Sequence, residues 1–582
     1  IPTFTVQEAN LFQNREEYEI EAELLPRKDI QISKEELIKK FKLVWRYILS
    51  GLQNTNYPIS YIEQGKILES YNKLIQETKK KYRTQAYFIG PSPISLQFIN
   101  IQDINPDVKV SNIRVGYTVT EKADGLRKLL YFSGKEHGGK IYLIDTNMNV
   151  QFTGCINTAN GVYNTLLDGE HVLYNKRGEF INRYLSFDLY YKSGKDYRHY
   201  PFIKGSTKIV YQGDIDKTTF RLKMLHTLIS NEMKVKNYVG DTNNFMITGK
   251  TFIYSSEKPT TKFNIFSACQ NILEKDYDYE IDGLIFTPEN TGVQSLVAGK
   301  KITSNKKRWD NAFKWKPEKY NSVDFLVSIK KTENSDDFIG NMFVNEESDE
   351  QLLQYKTLIL RVGYKSSYGF LNPFQTMISD EIPKMSNPND YKPQLFYPTN
   401  PYDNNAHLTN VLLKDYGNGK YLLTEDNKDV IENNTIVEFR YNKDAKVGWR
   451  WIPIRVRYDK TEQLHRTGRN FGNDYLTAQG VWESIHRPIT TNIIQTGDNI
   501  DGINDEIYYN IKSNKSELTR SLRDFHNYVK RILIKAVSQP GNTLIDLAVG
   551  KAGDLHKWIF AKLSFVFGID ISRDNIENKR DG

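Results

Sequence analysis

The sequence predicts a multidomain chain of α+β and α/β character, mostly antiparallel sheets with a parallel unit at the C-terminal end. Three observations carry that expectation. At 582 residues the chain is too long for one hydrophobic core and should divide into three or four domains. Between residues 115 and 441, short β-branched and aromatic runs alternate with Gly, Pro, Asn and Asp turns, the pattern of strands joined by tight connections. From residue 518 onward the order becomes helix, strand, glycine turn, helix, strand, which is that of a βαβ unit.

Composition excludes more than it assigns. With 39% hydrophobic and 13% aromatic residues the chain can build real cores and is not disordered. The net charge of +8, an excess of 79 basic over 71 acidic residues, rules out a uniformly basic coat for nucleic acid but allows local patches. Lys306-Lys307-Arg308 and Arg450 to Lys460 are two such patches. Cys155 and Cys269 lie far apart with no Cys or His at zinc spacing, so a reducing compartment and no structural zinc are expected. No apolar run approaches the ~20 residues needed to cross a bilayer, no signal peptide is visible, and no membrane partner is expected. The first residue is Ile1 instead of Met, which suggests a fragment of a longer chain.

At the N-terminal end, residues 16 to 25 alternate as a strand with Glu19, Glu21 and Glu23 on one face. Three carboxylates so placed repel unless they are solvated or share a metal ion. Two helices follow. Ser33-Lys34-Glu35-Glu36 is a capping box ahead of Leu37, Phe41, Val44 and Ile48. Ile67, Leu68, Tyr71, Leu74 and Ile75 mark the second, with Lys79, Lys80 and Lys81 at its negative dipole end. Both are expected to be spacers that pack one domain on the next.

The β-branched run from Val115 to Thr120 predicts a strand that delivers Lys122 to a cleft, with Asp124-Gly125 as the turn behind it. A lysine attacks phosphorus only as the neutral amine, and a reference pKa of about 10.4 makes that form scarce near neutral pH. Correcting about three pKa units costs roughly 4 kcal/mol, which burial and nearby cations can supply. Asp168-Gly169-Glu170 puts Glu170 at the head of another strand, and Phe187 to Tyr191 reads as a short aromatic strand. Asp282 stands just before a buried strand through Phe286. Asn311 to Pro317 alternates so that Lys314 and Lys316 share one face. Those two lysines are the cations that Lys122 needs, and they can also neutralise a transferring phosphoryl group.

In this order and spacing the segments resemble the collinear motifs of the covalent nucleotidyltransferases, the superfamily of mRNA guanylyltransferases and polynucleotide ligases. Arg457, Asp459 and Lys460 match the R-x-D-K tail of capping enzymes. The resemblance implies ATP-grasp-like antiparallel sheets and a two-step reaction. Lys122 would attack the α-phosphorus of GTP, expel pyrophosphate and hold GMP as a phosphoramidate, which the diphosphate 5′ end of nascent mRNA then takes. By the same match Arg127 would contact ribose or phosphate, Glu170 the ribose hydroxyls, and Phe187 the base. Lys314 and Lys316 would contact the α-phosphate. Arg457 and Lys460, supported by Asp459, would orient pyrophosphate, and Asp282 would bind Mg²⁺ or Mn²⁺.

Ser322 to Ile329 and Thr435 to Tyr441 read as strands on either side of a Pro- and Asn-rich tract, Ser386 to Asn405. Short strands with a long insertion suit a five-stranded OB barrel, which in this superfamily swings over the nucleotide. Asp501 to Ser516 is the next expected linker. Beyond it Leu518, Leu522, Phe525, Val529 and Ile532 form a helical stripe, and the strand from Thr543 to Val549 meets a glycine turn at Gly550, with Asp570 after the next strand. This resembles the opening of cap guanine-N7 methyltransferases, where Lys530, Gly550 and Asp570 would touch S-adenosylmethionine. E-x-E-x-E strands likewise resemble the metal-binding strands of tunnel-type RNA triphosphatases, making Glu19, Glu21 and Glu23 expected metal ligands.

The resemblance as a whole is to the multifunctional capping enzymes of large DNA viruses. It implies a triphosphatase-like end with linker helices at residues 1–95, a nucleotidyltransferase at 96–318, an OB domain at 319–490, and a linker with the start of a methyltransferase at 491–582. Viral transcription machinery as a partner, and a cytoplasmic viral factory or virion as the location, follow from it as expectations. Two rival readings are an ATP-dependent ligase and an inactive RNA-binding scaffold of a transcription complex.

Overall fold

A computed structural model describes residues 20–23, 32–76, 86–104, 110–205, 209–238, 244–254, 264–300, 308–346, 349–365, 368, 390–399, 401–416, 419–500, 520–572 and 575–576. Two facing sheets make the first lobe. One runs Ser92–Ser95, Arg308–Trp315, Ile281–Pro288, Tyr117–Ala123, Ile253–Tyr254 in spatial order, antiparallel except for its first pair. The other runs Met246–Gly249, Phe180–Lys192, Thr165–Tyr174, Leu126–Phe132, Lys140–Asp145, Val150–Asn157, Val235–Asn237.

The turn at Asp124-Gly125 joins the two sheets. A Cβ on Gly125 would sit 2.9 Å from the His171 carbonyl oxygen, so only glycine lets the turn approach the second sheet this closely. Gly283 is the other obligatory glycine. It has φ +151°, and a Cβ there would meet the Trp315 carbonyl oxygen at 1.9 Å. The register of its strand against Tyr117–Ala123 slips between Ile281 and Gly283, and this bulge leaves Asp282 aimed into the cleft.

Several sequence expectations need correction. Phe187 lies within a strand of 13 residues, Phe180–Lys192, and Glu170 is inside Thr165–Tyr174 instead of heading it. Bulges in this pair let the strands run on through the turn-like Asp168-Gly169. Of the acidic N-terminal strand, only Ile20 to Glu23 are described; they are exposed and in no strand, while Glu19 lies outside the described residues. Lys79, Lys80, Lys81, Lys306, Lys307 and the linker Asp501 to Ser516 also lie outside them.

Ser33 caps the helix Lys34–Gln53 by accepting the Glu36 N–H at 3.2 Å. That helix has no buried residue. Tyr61–Gln76, in contrast, buries Ile67, Tyr71, Leu74 and Ile75 against Leu129, Tyr131 and Tyr142 of the second sheet.

The second lobe is larger than a five-stranded barrel. Its sheet has eight strands, ordered Gly419–Leu422, Leu408–Tyr416, Asp349–Lys365, Ser322–Ile329, Thr435–Tyr441, Trp451–Val456, with Ile339–Glu346 and Tyr391–Leu395 also pairing with Asp349–Lys365. The last of these arises inside the Pro- and Asn-rich tract that was expected to be a loop. The sheet curls until Thr409 Oγ1 donates to the Trp451 carbonyl at 2.8 Å, around a core of Phe325, Phe396, Phe439, Trp451 and Trp482. At the C-terminal end the helix Arg520–Val537 precedes the parallel pair Thr543–Leu547 and Phe565–Ile569.

Candidate active site

Side chains from both sheets of the first lobe line a cavity of about 260 Å³ that holds Lys122, Arg127, Glu170, Phe187, Lys250 and Lys314. Lys122 reaches it from the end of Tyr117–Ala123, and its Nζ lies 2.6 Å from Asp282 Oδ1. The other carboxylate oxygen of Asp282 is 2.8 Å from Lys316 Nζ. Burial alone would raise the Asp282 carboxyl, but Lys122 and Lys316 outweigh it and hold its pKa below the ordinary carboxylate value. The sequence reading put two cations beside Lys122. The structure puts Asp282, expected there as a metal ligand, between Lys122 and Lys316 and in direct contact with both.

Lys314 faces the same space, with no ion-pair contact to an acidic side chain among the described residues. Burial first, then the like charges of Lys316, Lys122 and Lys460, push its pKa down to about 8. Glu170, on the opposite wall, is pushed up to about 7, chiefly by burial, despite Lys250, Lys122 and Arg127 nearby. At neutral pH it is therefore poised between hydrogen-bond donor and acceptor.

Arg127 differs from expectation. Its Nε and Nη2 bind Asp168 at 3.1 and 2.5 Å, and Nη1 binds the Pro91 carbonyl at 2.8 Å. Asp168 is fully buried and also accepts from Tyr190 Oη. The guanidinium lies 5.6 Å from the centre of the Phe187 ring. Most of its fork is thus spent on fixing the wall and backing Phe187. One residue on, Asp188 is held by buried Arg221 at 2.8 and 3.1 Å, which locks the strand carrying Phe187.

Lys250 was not anticipated. It is buried, donates to the Glu121 backbone carbonyl at 2.7 Å, and pairs with Glu121 Oε1 at 3.3 Å. Tyr279 and Thr120 donate to the same carboxylate.

Arg457, Asp459 and Lys460 lie on the second lobe, at the start of the helix Tyr458–Thr467. A second cavity, of about 220 Å³, is lined by Lys314, Lys316, Asp324, Arg457 and Lys460. Asp324, also missed in the sequence, is buried in the floor, contacts Lys460 Nζ, and accepts from Arg457 Nη1 at 3.1 Å. Asp459 pairs with Arg457 at 3.2 Å. Lys314 lines both cavities, so the two lobes share one cationic passage.

Asp282 is the carboxylate in contact with Lys122 and Lys316, and no cluster of three or more metal-ligating side chains occurs among the described residues. A single carboxylate suits Mg²⁺ or Mn²⁺ held largely by substrate phosphates. At the C-terminal end, Asp570 Oδ2 accepts the Gly550 N–H at 2.8 Å and Oδ1 accepts the Ser572 N–H at 2.9 Å. A carboxylate fixed beside a glycine turn at the end of a parallel strand fits a ribose-bearing cofactor. Lys530 instead pairs with Asp554 at 3.0 Å.

Residues 61–318 match the family model of the mRNA capping enzyme catalytic domain, and residues 504–581 match the mRNA (guanine-N(7))-methyltransferase domain. A probable mRNA-capping enzyme of Acanthamoeba polyphaga mimivirus is 26% identical over 96% of this chain and 46% of its own length. The mRNA-capping enzyme of an African swine fever virus strain is 23% identical over 78% of this chain and 43% of its own. That of Danio rerio is 28% identical over 42% of this chain and 35% of its own. The chain thus spans less than half the length of these curated relatives. It is similar to mRNA-capping enzymes of large DNA viruses, over 96% of its length for the mimivirus protein and 78% for the African swine fever virus one, and its residues 61–318 and 504–581 resemble the capping catalytic domain and the cap guanine-N7 methyltransferase domain.

Proposed function

We propose that this chain transfers GMP from GTP, through a covalent adduct on Lys122, to the diphosphate 5′ end of RNA. The supporting observation is the position of Lys314 in both cavities. A nucleoside in the first cavity, with its base against Phe187 and its ribose at Glu170, brings its α-phosphate to Lys122, Lys314 and Lys316. The rest of the triphosphate then extends toward Arg457 and Lys460.

Lys122 cannot attack while its lone pair is protonated and held by Asp282. Its proton has to leave and its nitrogen then bonds the α-phosphorus as the bond to the bridging oxygen breaks, releasing pyrophosphate. Asp282 holds the amine in place, and with its carboxyl kept below the ordinary value it leaves that proton to pass to solvent. A divalent ion bound with the phosphates would supply charge neutralisation there. Lys314 is crowded by the like charges of Lys316, Lys122 and Lys460, and an arriving anion would stabilise its ammonium form.

Lys250 bears on base choice. An ammonium beside the Phe187 wall offers a donor to a ring carbonyl, as in guanine, whereas an exocyclic amine, as in adenine, would oppose donor to donor. Methyl transfer from S-adenosylmethionine to the cap and triphosphatase chemistry belong to the longer protein on this reading, with Gly550 and Asp570 at the cofactor's ribose.

Incubation with α-labelled GTP and magnesium, followed by denaturing electrophoresis, is expected to leave label on the parent chain and none on Lys122→Ala. Label from ATP alone would make the protein a ligase. No label from either nucleotide, in folded protein, would favour the RNA-binding scaffold.

A further inference from the structure

The sheet that carries Glu170 has a second face. Side chains alternate along a strand, so His171 points away from the nucleotide cavity, together with Lys128 and Asn182 on the flanking strands. Between this face and the connection joining the two N-terminal helices lies a further cavity of about 210 Å³. Tyr57, Phe152, Tyr174, Phe180, Asn182 and Phe245 are among its lining residues, and no Asp or Glu lines it among the described residues.

Its polar floor is preset. Lys128 Nζ lies 3.0 Å from Gln151 Oε1 and 3.2 Å from His171 Nδ1, and His171 Nε2 lies 2.8 Å from Asn182 Oδ1. With the ammonium donating to Nδ1, the ring proton sits on Nε2 and is donated to the Asn182 carbonyl. Burial first, then Lys128, push His171 down to about 4, so the ring is neutral and this tautomer holds at neutral pH. The Asn182 amide nitrogen is left as a donor, without a partner among the described residues.

At the rim, Tyr174 is 57% and Phe180 49% exposed, edge to face at 5.7 Å. Large rings left in water beside amides, near the half-buried Lys128 and with no Asp or Glu among the described lining residues, offer stacking and edge recognition together. An apolar peptide anchor would instead have to strip water from the amide floor without replacing its hydrogen bonds.

We infer that this cavity takes an unpaired base of single-stranded RNA, stacked on Tyr174 and Phe180 and hydrogen-bonded by Asn182. The capping reading supplies the reason for RNA to be present, and the strand Thr165–Tyr174 links the two sites, with Glu170 at the nucleotide and His171 behind it. The RNA body is then held on the reverse of the lobe that acts on its 5′ end.

The test is anisotropy of a short fluorescent single-stranded RNA with a 5′ hydroxyl, which cannot enter the transfer reaction, titrated with the full chain. The double variant Tyr174→Ala/Phe180→Ala is expected to bind about tenfold more weakly or worse. Asn182→Asp should also weaken binding, and Phe180→Trp should retain it. GTP self-labelling should be the same in all of them. Equal RNA affinity of parent and double variant overturns the proposal. So does capture of an aromatic-rich peptide by the parent but not the double variant while RNA binding is unmoved, which would assign the cavity to a protein ligand. If GTP labelling fails while these RNA effects appear, the guanylyltransferase reading falls and this one stands.

Discussion

Lys314 is a residue whose function costs the fold something measurable. Its pKa is depressed to about 8 by burial and then by Lys316, Lys122 and Lys460. A lysine lowered in the folded state destabilises it when charged; the penalty is absent above the unfolded value of about 10.4, grows as pH falls from there to about 8, and is fully present below. Lys314→Met is therefore expected to raise the thermal midpoint by about 2–4 °C at pH 7, with the gain vanishing as pH approaches the unfolded lysine pKa of about 10.4, and to abolish GMP transfer. Calorimetry at both pH values checks it, and an equal gain at both would show that charge is not the cause. Lys122, Lys314 and Lys316 were legible because strand alternation and a turn place them without knowledge of the fold. Lys250 and Asp324 were not, because each acquires meaning only from a partner remote in sequence: Glu121 for the first, Arg457 and Lys460 for the second. Asp282 was legible as a carboxylate in the cleft, but its contact with the nucleophile depends on a bulge that no residue pattern announces.

At the scale of elements, the helix Tyr458–Thr467 is the one most shaped by function. It places Arg457 and Lys460 at its N-terminal end, where the positive pole of the helix dipole repels cations. Asp324 offsets that repulsion, and a triphosphate entering the passage would meet the pole and both cations together. Asp324→Asn leaves two cations facing one another without their buried counter-charge. It is expected to destabilise the second lobe by about 3 kcal/mol and to raise the KM for GTP in self-labelling more than it lowers the rate. A rate loss at unchanged KM would count against this role. This helix was not anticipated, since Thr461 is its only buried residue and no apolar stripe reveals it. Lys34–Gln53, in contrast, announced itself through its capping box. Strands of the second lobe were found where alternation was clean, at Ser322–Ile329 and Thr435–Tyr441. Tyr391–Leu395, with mostly exposed residues and a proline, reads as loop because an edge strand needs little apolar content.

In the molecule as a whole, the chain leaves the first lobe once and returns to it. It departs after Trp315, builds the second lobe around Phe325 and Trp451, and comes back so that Ile489 and Ile494 join the first-lobe core of Leu96, Phe266 and Trp315. Trp315 Nε1 donates to the Ile489 carbonyl at 2.7 Å, and Gln97 donates to the Gly480 carbonyl at 2.8 Å. Two crossings held side by side restrict the second lobe to rotation about a line through them. Such a rotation carries Lys460 toward or away from Lys314 while the helix Thr491–Thr496 stays on the first lobe. The cavity lined by Lys314 of the first lobe and Lys460 of the second lies between the lobes, so GTP, which would bridge it, should close the lobes and a nucleoside without phosphates should not. Hydrogen exchange on the full chain is expected to show GTP-dependent protection in Tyr458–Thr467 and none in Thr491–Thr496. Equal protection in both helices, or equal protection by guanosine, would mean that the lobes tighten as one body and that the triphosphate is not what draws them together.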